Sequence, residues 1–120
     1  MLGKKKTHTK HFQLKSINDL DMCVFIVKRK FEGDLRALIE EYDGRILSVV
    51  PASGISHSSM FEAISSISEP CSVAFCTARS EDSKKLIYKV SEELELYKPN
   101  NGKAFKIDIT GYLGAKALFL

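Results

Sequence analysis

The sequence predicts an α+β domain on three observations. A β-prone apolar run, an amphipathic stretch and a second apolar run follow one another within residues 22–50. The same order returns within residues 71–109, and turn-forming residues stand at the joints. Two β-α-β halves joined in one chain build the ferredoxin-like βαββαβ sandwich, a four-stranded antiparallel sheet with two helices on one face. With 120 residues the chain supplies one hydrophobic core and not two.

Each element has its own signal. Phe12 and Leu14 alternate with polar neighbours, a weak strand signal, and Asn18-Asp-Leu-Asp reads as a turn. Residues 22–28 (Met-Cys-Val-Phe-Ile-Val-Lys) are apolar without alternation, which predicts a central strand buried on both faces. Leu35, Leu38, Ile39 and Tyr42 then recur at helical spacing, with Asp34 as the expected N-cap and Gly44 as the left-handed stop. Residues 45–50 return to strand character, and Pro51 ends their hydrogen bonding. Residues 51–70 read as a loop insertion carrying one or two helical turns around Met60, Ile64 and Ile67. A third strand is expected over 71–78. The second helix is capped by Ser80, carries Glu81 and Asp82 in its first turn, and has Leu86, Ile87, Val90 and Leu94 on its buried stripe. Residues 98–103 form a turn. In the strand that follows, Phe105, Ile107 and Ile109 are expected to face inward, with Lys106 and Asp108 facing water.

Composition excludes several classes. Hydrophobic residues at 44% and charged residues at 28% match ordinary globular usage, which rules out disordered and fibrous chains. No apolar run approaches the roughly 20 residues that span a bilayer, so no membrane insertion is expected. The basic start lacks the apolar segment of a secretory signal, and the expected location is the cytoplasm. Most of the net charge of +3 sits near the start, where five of the first ten residues are Lys or His. Residues 1–20 therefore read as a basic, partly flexible extension ahead of a domain over 21–120. No interleaved aromatic and basic residues follow, so nucleic acid is not an expected partner. Cys23, Cys71 and Cys76 lie inside apolar runs and read as buried thiols rather than disulfides or metal ligands.

Two segments carry a family resemblance. Residues 51–64 (Pro-Ala-Ser-Gly-Ile-Ser-His-Ser-Ser-Met-Phe-Glu-Ala-Ile) resemble the small-residue loop and short helix of compact relatives of the nitrogen regulatory protein P-II. Residues 91–114 resemble the closing signature of that family, in which a helix runs into Lys98-Pro99, then a polar residue, Gly102, a strand beginning Ala104-Phe105, and a final Gly114. The resemblance implies a homotrimer that holds a small effector, usually an adenine nucleotide, in clefts between subunits. It also implies a signalling loop between the second and third strands that docks on a transporter, enzyme or regulator. By the resemblance, Asn101, Gly102 and Lys103 match the turn that wraps the phosphates.

Chemistry adds to this, since a glycine turn lets backbone N–H groups approach an anion and the adjacent lysine supplies charge. Ser53, Gly54, Ser56 and His57 are the candidates for the opposing wall. Asn-Gly is equally a common tight-turn pair. The loop has no tyrosine to be uridylylated, and Lys116 is the one basic residue after the last strand. Both departures leave room for a smaller nucleotide or another metabolite.

No phosphate-binding glycine motif or serine-nucleophile motif occurs, and the paired glutamates lie on helices beside lysines. An enzyme is not expected. The alternative from a different class is a ligand-free ferredoxin-like module that binds a protein through its sheet or its apolar end.

Overall fold

A computed structural model describes residues 15–52 and 69–112. They form β1 (Lys15–Lys28), one 3-10 turn (Arg29–Phe31), α1 (Glu32–Glu41), β2 (Arg45–Pro51), β3 (Cys71–Arg79), α2 (Ser80–Glu93) and β4 (Gly102–Tyr112). The strands make one antiparallel sheet in the order β2-β3-β1-β4, so the architecture is α+β. Phe12 and Leu14, the expected helical turns around Met60, Ile64 and Ile67, and the apolar end lie outside the described residues.

Burial explains why β1 is apolar without alternation. Cys23, Phe25 and Val27 turn to one face, where they meet Ala74 and Cys76 of β3, Leu35 and Ile39 of α1, and Leu86, Val90 and Leu94 of α2. Both helices therefore cover that face. Val24 and Ile26 turn the other way and cluster with Ala52, Cys71 and Val73. Each fully buried Phe, Leu or Ile stabilises the fold by about 1.5–3 kcal/mol, so the helix-side cluster dominates the energetics. Cys71 and Cys76 fall on opposite faces, as their five-residue spacing requires in an extended chain.

Four local expectations are corrected. Asn18–Asp21 makes no chain reversal. The register of β1 against β4 shifts between Ser16 and Leu20 and Asp19 takes φ 62°, so the turn-forming residues are absorbed as a bulge. Helix α1 begins two residues before Asp34, behind the 3-10 turn, and Asp34 sits in the first turn as a dipole partner rather than a cap. The left-handed residue after α1 is Asp43, with φ 60°. Gly44 is needed for space instead, because a Cβ there would stand 2.8 Å from Ile39 Cγ2. Ser80 is the first residue of α2, and Arg79 occupies the N-cap.

The largest correction concerns β4. Ala104, Lys106 and Asp108 pair with Phe25, Cys23 and Asp21 and share the helix-covered face. Phe105 and Ile107 lie on the opposite face, 38% and 52% exposed. Alternation fixes which residues share a face, but not which face is covered. Here the face is chosen by Asp21, which draws Lys106 toward the helices.

Gly102 fixes the other end of that pairing. It takes φ 134°, and a Cβ built on it would lie 2.1 Å from the Ile26 carbonyl oxygen. Gly102→Ala is therefore expected to cost about 2–4 kcal/mol through strain and displaced backbone. Urea unfolding checks this, and a loss below about 0.5 kcal/mol, the range of a neutral surface change, would contradict it.

Candidate functional site

The end of α2 and the start of β4 carry the sequence-predicted turn. The Asn101 side-chain amide donates to the Glu95 carbonyl at 3.0 Å and to the Leu94 carbonyl at 3.5 Å. These carbonyls lie just past the last turn of α2, and that of Glu95 also accepts the Lys98 N–H at 3.0 Å. Asn101 thus closes a helix end. Lys103 is exposed, and its register partner Ile26 places it on the sheet face opposite the helices. Ser53, Gly54, Ser56 and His57 lie outside the described residues, but their segment leaves β2 at Ala52. The end of β2 and the start of β4 share one end of the sheet, on its two opposite edges, with β3 and β1 between them. At about 4.8 Å per strand step, the edges stand roughly 14 Å apart.

The densest polar chemistry is at the other end. Asp21 is 0% exposed within the central strand. Its Oδ2 accepts from the Ser83 hydroxyl of α2 and from Lys106 Nζ of β4 at 3.2 Å. The Ser80 carbonyl also lies 3.0 Å from the Ser83 hydroxyl. That hydroxyl has one proton, and the carboxylate is the stronger acceptor. Burial pushes the Asp21 carboxyl up. Hydrogen bonds from Ser83, from Asp108 when it carries a proton, and from Lys106, together with the Lys106 charge, outweigh burial and hold it below its ordinary value. Oδ1 of Asp21 is buried and has no hydrogen-bond partner among the protein groups described.

Next to this cluster, Cys23 and Cys76 face each other across β1 and β3, both fully buried. The Cys76 thiol donates to the Cys23 sulfur, which lowers Cys23 against its burial and raises Cys76. All three cysteines are free thiols. An open depression of about 720 Å³ beyond the end of α1 mixes Glu40, Asp43 and Asp82 with Arg45 and Arg79. A second one, of about 450 Å³, opens onto Asp19, Asp21, Ser80, Asp108 and Thr110.

No family model matches the chain, and no curated protein matches it in sequence. No helix among the described residues is long and apolar enough to cross a membrane.

The Asp21 cluster escaped sequence reasoning because its members are 62 and 85 residues apart in the chain. Lys106 and Asp108 looked like ordinary water-facing strand positions. The one local trace was an aspartate placed directly before an apolar central strand.

Removing Lys106 leaves a buried carboxylate with a single donor, whereas Asp21→Asn removes the charge and keeps an acceptor for Ser83. Lys106→Met is expected to cost about 2–3 kcal/mol, discounted because Lys106 is 41% exposed. Asp21→Asn should cost about 1 kcal/mol. Urea unfolding of both variants checks the order, and the reverse order would refute this account. The pH dependence follows from the lowered carboxyl. Its contribution is complete above the ordinary value of 3.8 and is lost as pH falls through the lower folded-state value. Urea midpoints across the acid range should therefore fall less steeply for Asp21→Asn than for the native chain.

Proposed function

We propose that the chain is a P-II-like regulatory subunit. It forms a homotrimer, binds a small anionic effector between subunits, an adenine nucleotide being the first candidate, and signals to a protein target through the loop 51–70. It is a binding protein rather than an enzyme, and it works in the cytoplasm, where its cysteines stay as thiols. The fold behind this reading is the ferredoxin-like sandwich, supported by the β2-β3-β1-β4 order and by two helices on one face.

The observation that carries the reading is the exposed apolar row on edge strand β4. Phe105 and Ile107 lie on the face away from the helices, beside Lys103. Such a row on an edge strand favours a partner. A second copy also resolves the geometry of the effector site. The two candidate walls depart from opposite sheet edges, so a neighbouring subunit brings one wall to the other. Asn101 contributes by shaping the turn, and Lys103 by its charge.

One observation favours the ligand-free interaction module instead. The Asn101 amide is spent on helix carbonyls, so the turn has a sufficient structural reason to exist.

Native mass spectrometry with and without AMP, ADP, ATP and cyclic AMP separates the two. A trimer that takes up one nucleotide per subunit is the expected result. Ile107→Lys should then shift the trimer to monomer, and Lys103→Ala should weaken the nucleotide by about 1–3 kcal/mol, the range of a charge-assisted bond. A trimer without nucleotide favours the interaction module or another metabolite. A monomer removes the inter-subunit cleft and with it the proposal.

A further inference from the structure

We propose that strand β4 pairs edge to edge with β4 of a second copy of this chain, antiparallel and about a two-fold axis at Ile107. The pairing uses the hydrogen-bonding edge of β4 rather than its apolar face, so it does not rest on the trimer or on the effector. Among the described residues β4 has β1 on one side and no strand on the other. Its free edge is therefore a row of backbone N–H and C=O groups over 11 residues. Ile107 is the midpoint of Gly102–Tyr112, so pairing about it overlaps the whole strand.

Charge selects this register. With Ile107 on the axis, Lys106 of one copy stands opposite Asp108 of the other, and the pair occurs twice. Ile107 then meets its own counterpart, and Phe105 meets Ile109, an aromatic residue against a β-branched one. A two-fold antiparallel pair sets the residue on the axis against itself. The nearest competing registers therefore centre on Lys106 or on Asp108. The first sets lysine against lysine and the second aspartate against aspartate, and like charges directly opposite are destabilising.

The single subunit leaves both charges available for this. Asp108 is exposed, stands opposite Asp21 in the β1 register and makes no salt bridge among the described residues. Two carboxylates side by side repel, and Lys106 of the second copy offsets that repulsion. Lys106 holds Asp21 at 3.2 Å while its side chain stays 41% exposed. The strand is also ordered in advance, with Gly102 seated under the Ile26 carbonyl and Lys106 tied to Asp21. Pairing then loses little conformational entropy. The product is one continuous sheet, with four strands from each copy and the helices of both on the same face.

The test is native mass spectrometry of the full chain over a concentration series, with a cysteine cross-link to locate the interface. The expected assembly is even-numbered: a dimer, or a hexamer where the trimer also forms. Ile107→Cys should give a disulfide-linked dimer with copper phenanthroline, because directly opposite residues have Cβ atoms about 4.5–5.5 Å apart. Lys103→Cys, on the same face, should not, since its two copies would lie about 27 Å apart along the strands. Cys23, Cys71 and Cys76 are buried, so the native chain is the blank. Asp108→Lys, at an exposed position, should keep the native circular dichroism and weaken association about tenfold, as two attractive pairs become repulsive. A monomer overturns this pairing together with the trimer, and a trimer alone overturns the pairing only. A dimer supports the pairing and overturns the trimer. No cross-link at 107, an equal cross-link at 103, or undiminished association of Asp108→Lys overturns the pairing as well.

Discussion

Both faces of β1 are removed from water, and the other elements answer that constraint. From Cys23 to Val27 no side chain is more than 5% exposed. A strand of that kind needs a neighbour on each edge and a layer against each face. Strands β3 and β4 supply the edges, and α1 and α2 supply one face. Because β1 is the first strand among the described residues and central in the sheet, β3 and β4 reach it from 40 residues or more further along. The order β2-β3-β1-β4 follows from filling those two places.

Polar side chains pin the helices over this layer at two points. Ser72 at the start of β3 donates to Glu32 at the start of α1 at 2.8 Å. Asp21 does the same work for α2 through Ser83, and for β4 through Lys106. Apolar packing alone would let a helix slide along a smooth sheet, whereas a buried carboxylate tolerates one register. A slip of one residue in β4 would turn Lys106 to the far face and leave Asp21 without its cation. Buried polar groups of this kind add specificity more than stability.

The α+β class and the order of elements were legible in residues 22–50 and 71–109, because helical and strand periods are local properties. The stripes Leu35/Leu38/Ile39/Tyr42 and Leu86/Ile87/Val90/Leu94 were legible for the same reason: five of these side chains are buried, and Leu38, Tyr42 and Ile87 are partly buried against the same cluster. The facing of β4 was not. Phe105, Ile107 and Ile109 form a well-alternating row, but its direction depends on a carboxylate 85 residues away from Lys106. The Asp19 bulge was half legible: the residues that favour a turn were recognised, while the pairing that stretches them into a strand is a tertiary effect. Of the candidate effector residues, Gly102 was read for close backbone approach to an anion, and its φ of 134° against the Ile26 carbonyl is a separate, structural reason for glycine there. Asn101 shows the opposite case, a polar residue singled out for a ligand whose amide serves helix α2.

Edge strands that expose apolar rows are usually blunted by charge, brevity or fraying. Strand β4 carries one charge on its outer face, Lys103 at its start, and beyond it the outer face is apolar. It is 11 residues long, and its length is fixed at both ends. Gly102 holds its start under the Ile26 carbonyl, where only a residue without a Cβ fits. Lys106 and Asp108 hold its later part against Asp21. Phe105 and Ile107 lie between these two anchors, so their exposure belongs to an ordered surface and not to a loose strand end. An ordered surface recognises a partner with little loss of conformational entropy on binding. Asp21 therefore bears on the outer face as well as on the core: by fixing the register that turns Lys106 to the helix side of the sheet, it sets Phe105 and Ile107 on the other.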